Sequence, residues 1–275
     1  MTAFSPLSIS HIAWSPEREG ALLDKVLELG VGTVELAPLR AFGDPLRADE
    51  RAVRAKAGWY VERGFRIGSF QALLFGAEGV FLFEDQAARQ RMKEWLIAVG
   101  QVAGWCGAGP MVFGSPKNRL KGSRSHAEAM RIATEFFREV GDACHRSGSC
   151  LVMEANPEAY GADFCTRLEQ AAELVEAVDS PGFRLHVDAG GLALSGEHFE
   201  PVVAQAAGLI AHVHASQPNL GAWDVPDPVH VRLAGALATA GYRGQVAIEM
   251  KAQEEEVPAV ETAIRRVRDC YGIRK

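Results

Sequence analysis

The sequence predicts one (β/α)8 barrel spanning residues 1–275 as a single domain. Three observations lead there. Short apolar runs recur eight times. A turn and an amphipathic segment follow most of them. Dividing 275 residues by eight units leaves about 34 for each, room for one strand, one helix and two turns. A doubly wound open sheet is the competing α/β architecture, but it usually carries a glycine-rich turn after its first strand. Here the first run ends in His11-Ile12-Ala13-Trp14, with no such turn.

The expected strands are Leu7–Ala13, Thr33–Ala37, Arg66–Phe70, Pro110–Phe113, Cys150–Glu154, Phe183–Asp188, Leu209–His214 and Gln245–Met250. Each is short and rich in Val, Ile or Leu rather than strictly alternating, the pattern of strands buried on both faces. The clearest helices lie between them. Pro16–Leu29 opens with Ser15-Pro16 and stops at Gly30. Gln86–Ala103 follows a long, partly apolar loop, Leu73–Asp85, which either covers a site or packs down. Ser125-His126-Ala127-Glu128 reads as a capping box before Ala127–Arg146. Asp227-Pro228 opens Val229–Ala240, and Val257–Tyr271 closes the chain behind the acidic run Glu254–Glu256, whose charge suits a helix N-terminus.

Composition removes several classes of function. With 29 Lys and Arg against 35 Asp and Glu, the net charge of −6 makes the chain a poor partner for a nucleic-acid backbone. No apolar run approaches the roughly 18–20 residues of a membrane span. Met1–Ser10 has neither the basic start nor the long apolar stretch of a signal peptide. Five scattered cysteines without a Cys-x-x-Cys pair read as reduced thiols, so a cytoplasmic location is expected. The sequence leaves open whether identical chains assemble.

In a barrel the chemistry lies at the C-terminal ends of the strands. The last four expected strands each carry a good metal ligand there: Glu154, Asp188, His214 and Glu249. Charged groups after apolar runs are costly to bury without a partner. Separate carboxylates capping neighbouring helices would be the bland explanation, but Glu249 has no helix start beside it. Three carboxylates and one imidazole suit one hard or borderline divalent cation, Mn²⁺ first, with Mg²⁺ or Co²⁺ next. Zinc would favour sulfur or more histidine.

The segments Glu154-Ala155-Asn156-Pro157, Val187-Asp188-Ala189-Gly190, Val213-His214 and Ile248-Glu249 resemble those of the xylose isomerase-like barrels, which group sugar isomerases and epimerases with apurinic endonucleases. The steps of 34, 26 and 35 positions between residues 154, 188, 214 and 249 are similar to those of the ketose 3-epimerase branch. Ser10–Trp14 and Gly114–Arg119 also resemble members of this superfamily, so the likeness spans nearly the whole chain. It implies a metal-dependent isomerase or epimerase acting on a sugar, sugar phosphate or related polyol. A cation would stabilise the enediolate left when the α-proton departs, with Glu154 and Glu249 as the acid/base pair. The same chemistry could expel a β-hydroxyl, making a dehydratase. An apurinic endonuclease-like phosphodiesterase is a further alternative, and a barrel that binds a sugar without turning it over is the last.

The likeness has gaps. Gly191 stands where many relatives have a histidine, and no arginine follows His214 in Ala215–Leu220, unlike the ketohexose 3-epimerases. Several histidines expected of a three-metal endonuclease cluster are absent, and Asp227-Pro228-Val229-His230 only loosely resembles its Asp-x-His pair.

Further residues fall near the expected mouth. His11 and Trp14 end the first strand, and Glu35 and Gln71 end the second and third, as candidate substrate contacts. Lys117, Asn118 and Arg119 follow the fourth, where they could hold an anionic group or form a solvated basic turn. His186 and His212 precede Asp188 and His214 by two positions and so share their inward face, either orienting the ligands or serving as hydrogen-bonded core histidines.

Overall fold

A computed structural model describes residues 7–273. The part of the N-terminal expectation that concerns residues 1–6 lies outside the described residues. Eight parallel strands close in sequence order: β1 (Leu7–Ser10), β2 (Thr33–Leu36), β3 (Arg66–Phe70), β4 (Pro110–Phe113), β5 (Cys150–Glu154), β6 (Phe183–Asp188), β7 (Ile210–Ser216) and β8 (Val246–Glu249). β1 pairs with both β2 and β8, so no strand edge is left over. The two-sided burial read from composition is present: all four residues of β1 and all four of β2 are buried.

Around the barrel run α1 (Glu19–Glu28), α2 (Pro38–Phe42), α3 (Glu50–Glu62), α4 (Gln86–Cys106), α5 (His126–Arg146), α6 (Leu168–Val178), α7 (Ala189–Ser195), α8 (Glu200–Gln205), α9 (Val229–Thr239) and α10 (Glu256–Tyr271). Short side chains start several of them. Asp49, Asp85 and Ser125 accept from the backbone N–H of Ala52, Ala88 and Glu128 at 2.9, 2.7 and 3.2 Å. The apolar faces of these helices pack on the outside of the strands. The inside of the barrel is filled by polar and apolar side chains in layers. No helix among the described residues is long and apolar enough to cross a membrane.

Three boundaries differ from the sequence reading in ways that bear on the site. The first expected helix begins as a 3-10 turn, Pro16–Arg18, and Ser15 gives it no side-chain cap. The Ser15 N–H instead donates to Glu256 at 2.8 Å, so Glu256 is a buried tie between the first and last βα connections as well as the start of α10. β1 stops at Ser10, and His11–Ala13 turn inward as a 3-10 segment. β7 extends to Ser216, which is paired in register with Glu249. The long loop 73–85 packs down: Leu73, Leu74, Val80, Leu82 and Phe83 are all buried, and the Trp95 indole donates to the Leu73 carbonyl at 2.8 Å.

Candidate active site

Sheet register assembles the site. Asp188 on β6 lies beside His214 on β7, and the next inward position of β7, Ser216, lies beside Glu249 on β8. One ligand atom each from Asp188, His214 and Glu249 falls within 4.8 Å of the others. Asp188 is fixed from two sides. Its Oδ2 accepts the Gly191 N–H at 2.7 Å, capping α7, and its Oδ1 accepts the Ser216 hydroxyl. The capping explanation for Asp188 is therefore half right: it starts a helix and also faces its neighbours across the mouth.

His214 Nε2 lies 3.1 Å from both oxygens of Glu35. A carboxylate behind an imidazole fixes its tautomer and leaves the other ring nitrogen free to bind a metal. That nitrogen, Nδ1, is buried and lacks a hydrogen-bond partner, although Glu249 Oε2 is 3.2 Å away. Burial opposes protonation of this ring, but Glu35 and Glu249 outweigh it and hold the pKa well above the usual histidine value.

Glu154 stands apart from the other three. Its Oε1 accepts the Asn156 side-chain amide at 2.7 Å. Its Oε2 rests over Gly114, where a Cβ would come within 1.9 Å of it. Any larger residue at 114 would displace the carboxylate. Burial raises the Glu154 pKa, and the negative charges of Asp188 and Glu249 add to the effect; Asp188 is shifted upward by burial and then by Glu249. A donor set of clustered carboxylates short of positive charge, with a buried imidazole nitrogen facing Glu249 among them, fits a divalent cation.

Glu154, Asp188 and Glu249 line a cavity of about 420 Å³ together with Gln71, Tyr160 and Lys251. Of the seven residues expected at the substrate, Gln71 lines this cavity; its amide donates to the Ser10 hydroxyl at 3.0 Å. The others lie elsewhere. His11 is fully buried and accepts the Ala37 N–H at 2.8 Å. Trp14 is a core residue whose carbonyl accepts from Arg40 at 2.9 Å. Glu35 is sealed at the barrel floor, taking a 2.7 Å hydrogen bond from Ser69 in addition to the contact with His214. Lys117 is exposed and lies outside the lining. Asn118 pins the long loop, donating to the Val80 carbonyl at 2.7 Å while its own carbonyl accepts from Leu82 at 2.8 Å. The 3-10 turn Pro116–Arg119 directs Arg119 under the end of β5, where it is completely buried.

His186 and His212 do share the inward face, one layer down, but they do not touch the carboxylates of Glu154 or Asp188. Their Nδ1 atoms are 3.2 Å apart, and His212 Nε2 lies 3.0 Å from Ser69 Oγ and 3.3 Å from Glu35. Burial keeps both rings below the usual histidine pKa. They form the floor on which Glu35 sits. Asp227 caps the start of α9 by accepting from Val229 at 2.8 Å, and His230 is buried with its Nδ1 3.1 Å from the Tyr271 hydroxyl. Both serve that helix.

Asn156, Ser216, Ser69, Tyr160 and Lys251 were given no role in the sequence reading. Three of them had a signal. Ser216 and Asn156 stand two positions beyond His214 and Glu154, and Ser69 stands two before Gln71, spacings that put each on the same face as its neighbour while the chain stays extended.

The family model for xylose isomerase-like TIM barrels matches residues 23–270. The chain belongs to this family. No curated protein sequence matches it. Solved structures do share the fold of this xylose isomerase-like barrel. An L-ribulose 3-epimerase superposes with a TM-score of 0.78 at 15% identity, covering 98% of this chain and 95% of that one. A D-psicose 3-epimerase studied in the presence of D-fructose gives 0.77 at 14% identity and 97% coverage of both chains. A 3-keto-D-glucoside 4-epimerase from E. coli gives 0.77 at 14%, covering 97% of this chain and all of that one.

Proposed function

We propose that this barrel is a divalent-metal-dependent isomerase or epimerase acting on a keto sugar, a sugar phosphate or a related polyol. The observation that carries the reading is the convergence of Asp188, His214 and Glu249 within 4.8 Å beside a fourth carboxylate, Glu154, at one cavity. Asp188, His214 through Nδ1 and Glu249 would hold the cation, with Glu154 at its edge. Mn²⁺ is the first choice for such an oxygen-rich set. When bound, the cation would supply Lewis-acid stabilisation of the negative charge that develops on the substrate oxygens.

The chain's own groups do the rest. Glu154 comes from β5 and Glu249 from β8, on opposite sides of the ligand arc. One carboxylate takes the proton α to the carbonyl and the other returns a proton to the opposite face, inverting the carbon. Glu35 keeps His214 in one tautomer, and Ser216 with the Gly191 N–H keeps Asp188 in one rotamer. Gln71 and Lys251 offer polar contacts to hydroxyl or anionic groups from the cavity wall. The sugar epimerases of the same fold agree with this reading.

The test is incubation of the full chain with Mn²⁺ and a panel of keto sugars and their phosphates in D₂O. Deuterium should enter one C–H bond adjacent to a carbonyl, and Asp188→Asn should abolish both Mn²⁺ retention and exchange. Absence of exchange across the panel in a metal-loaded protein, or exchange that survives complete chelation, would overturn the proposal.

A further inference from the structure

Lys251 is the one cation among the described residues that line the cavity. Its ammonium forms no ion pair among the described residues. Other lysines are engaged: Lys25 bridges Glu28 and Glu261 at 3.6 and 2.7 Å, Lys93 meets Glu139, and Lys56 lies 4.6 Å from the centre of the Trp59 ring. The cavity carboxylates have other partners. Glu154 takes the Asn156 amide, Asp188 takes the Ser216 hydroxyl and the Gly191 N–H, and Glu249 faces His214. The charge of Lys251 therefore stands exposed at the rim, neutralised by nothing in the site.

The loop after β7 fixes where that charge sits. Asn219 and Leu220 have φ of 58° and 56°. Asparagine tolerates this left-handed conformation, but for leucine it is strained. Each of the two residues makes a tie. The Leu220 carbonyl accepts the Lys251 N–H at 3.1 Å, and the Asn219 N–H donates to the Tyr160 hydroxyl oxygen at 3.0 Å. Consecutive residues thus join the end of β8 to the turn Glu158–Tyr160 after β5, and set Tyr160 and Lys251 on the same side of the mouth. The Tyr160 oxygen accepts in this tie, so its own proton is left to donate. A substrate hydroxyl both donates and accepts, and an amide such as Gln71 can serve it. An ammonium beside a phenol O–H offers donors and a positive charge, which suits an oxygen that only accepts.

We propose that Lys251 and Tyr160 form a subsite for an anionic group, a carboxylate or a phosphate, on the end of the substrate away from the reacting carbon. This subsite deepens the isomerase or epimerase reading and rests on it for the placing of the reacting end at the carboxylates. It narrows the substrate class from keto sugars in general to those carrying an acid or a phosphate. Lys117 and Arg119, the anion contacts expected from sequence, lie outside the lining; the cation that does line it comes from β8, not β4.

Binding is measured first, without turnover. The Mn²⁺-loaded full chain is titrated calorimetrically with D-glucitol, D-gluconate and D-glucitol 6-phosphate, six-carbon polyols with no carbonyl to react. At least one of the two anions should bind about ten-fold or more tightly than glucitol, and its identity tells carboxylate from phosphate. That advantage should shrink as salt rises, disappear in Lys251→Met and survive in Lys251→Arg. Tyr160→Phe should weaken the same anion by about three-fold. A carboxylate held by Mn²⁺ alone would keep its advantage in Lys251→Met. Turnover comes second. In D₂O the anionic keto sugar should exchange with a higher kcat/KM than its neutral analogue, and Lys251→Met should raise KM for it with kcat little changed. The subsite is overturned if neither anion outbinds glucitol, or if Lys251→Met keeps the preference. Unchanged anion affinity in Tyr160→Phe would remove the phenol from it. Proton exchange without any anion preference overturns the subsite alone, whereas Lys251-dependent anion binding with no exchange from any keto sugar overturns the isomerase or epimerase reading instead.

Discussion

Glu35 on β2 and Glu154 on β5 face the interior of the same barrel, one sealed at the floor and the other half-buried at the cavity. Burial alone would raise the pKa of both, and more so for Glu35, which has no exposed surface. The outcome is the reverse. Burial does push Glu35 up, but His214 and His212 outweigh it and, with the Ser69 hydroxyl, bring it down to about 2. Glu154 stays high, because after burial its strongest neighbours are Asp188 and Glu249, both of its own sign. Neighbouring charge, more than depth, sets the difference. The floor is electrostatically complete, and the mouth is short of positive charge, as a site that recruits a cation should be.

The largest effect should come from the mouth. Glu154→Gln and Glu249→Gln each remove a group able to move a proton and should lower turnover by about 10²-fold or more at saturating Mn²⁺. One variant of the pair should still wash deuterium into one epimer while net epimerisation collapses. Wild-type epimerisation by both metal-replete variants would exclude the two-carboxylate mechanism.

A smaller effect should come from the floor. Glu35→Gln retains the shape of the contact to His214 but removes the charge that fixes the ring. A metal site that loses such an outer partner typically drops about 10–100-fold in affinity. Calorimetric Mn²⁺ titration of the variant would check this. Unchanged affinity would mean that the floor does nothing for the mouth.

The smallest effect compares both with a carboxylate outside the barrel interior. Glu19 on α1 accepts from the Tyr60 hydroxyl and lies 3.5 Å from His11 Nδ1 and 3.6 Å from Arg40. Burial raises its pKa, but His11 and Tyr60 outweigh it and lower the value from 4.5 to about 2. A depressed carboxylate contributes stability that is complete above its unfolded pKa and is lost as the pH falls through its folded one. Glu19→Gln should therefore cost about 1–3 kcal/mol at pH 7, with the gap to wild type closing between about pH 4 and 2. Denaturant melts across that range would show it, and a gap that widens in acid would refute the assignment.

The sequence by itself determined the barrel and the level of its chemistry. Short apolar runs separated by capped amphipathic segments need no distant partner to be recognised, and Glu154, Asp188, His214 and Glu249 were legible because each stands at the end of such a run. The two-residue period also gave the face on which His186 and His212 lie. The tertiary structure alone decided which of these side chains meet. Glu35 and His214 are 179 positions apart, on strands that do not pair, and come together only when the barrel closes and its register sets their levels. Arg119 read as a rim cation because the turn after β4 is polar and basic. The 3-10 path of that turn sends it beneath β5 instead, to Asn156 and the Glu154 carbonyl. Periodicity in sequence fixes the face a side chain takes; its partner depends on strand closure and stagger, which no local pattern encodes.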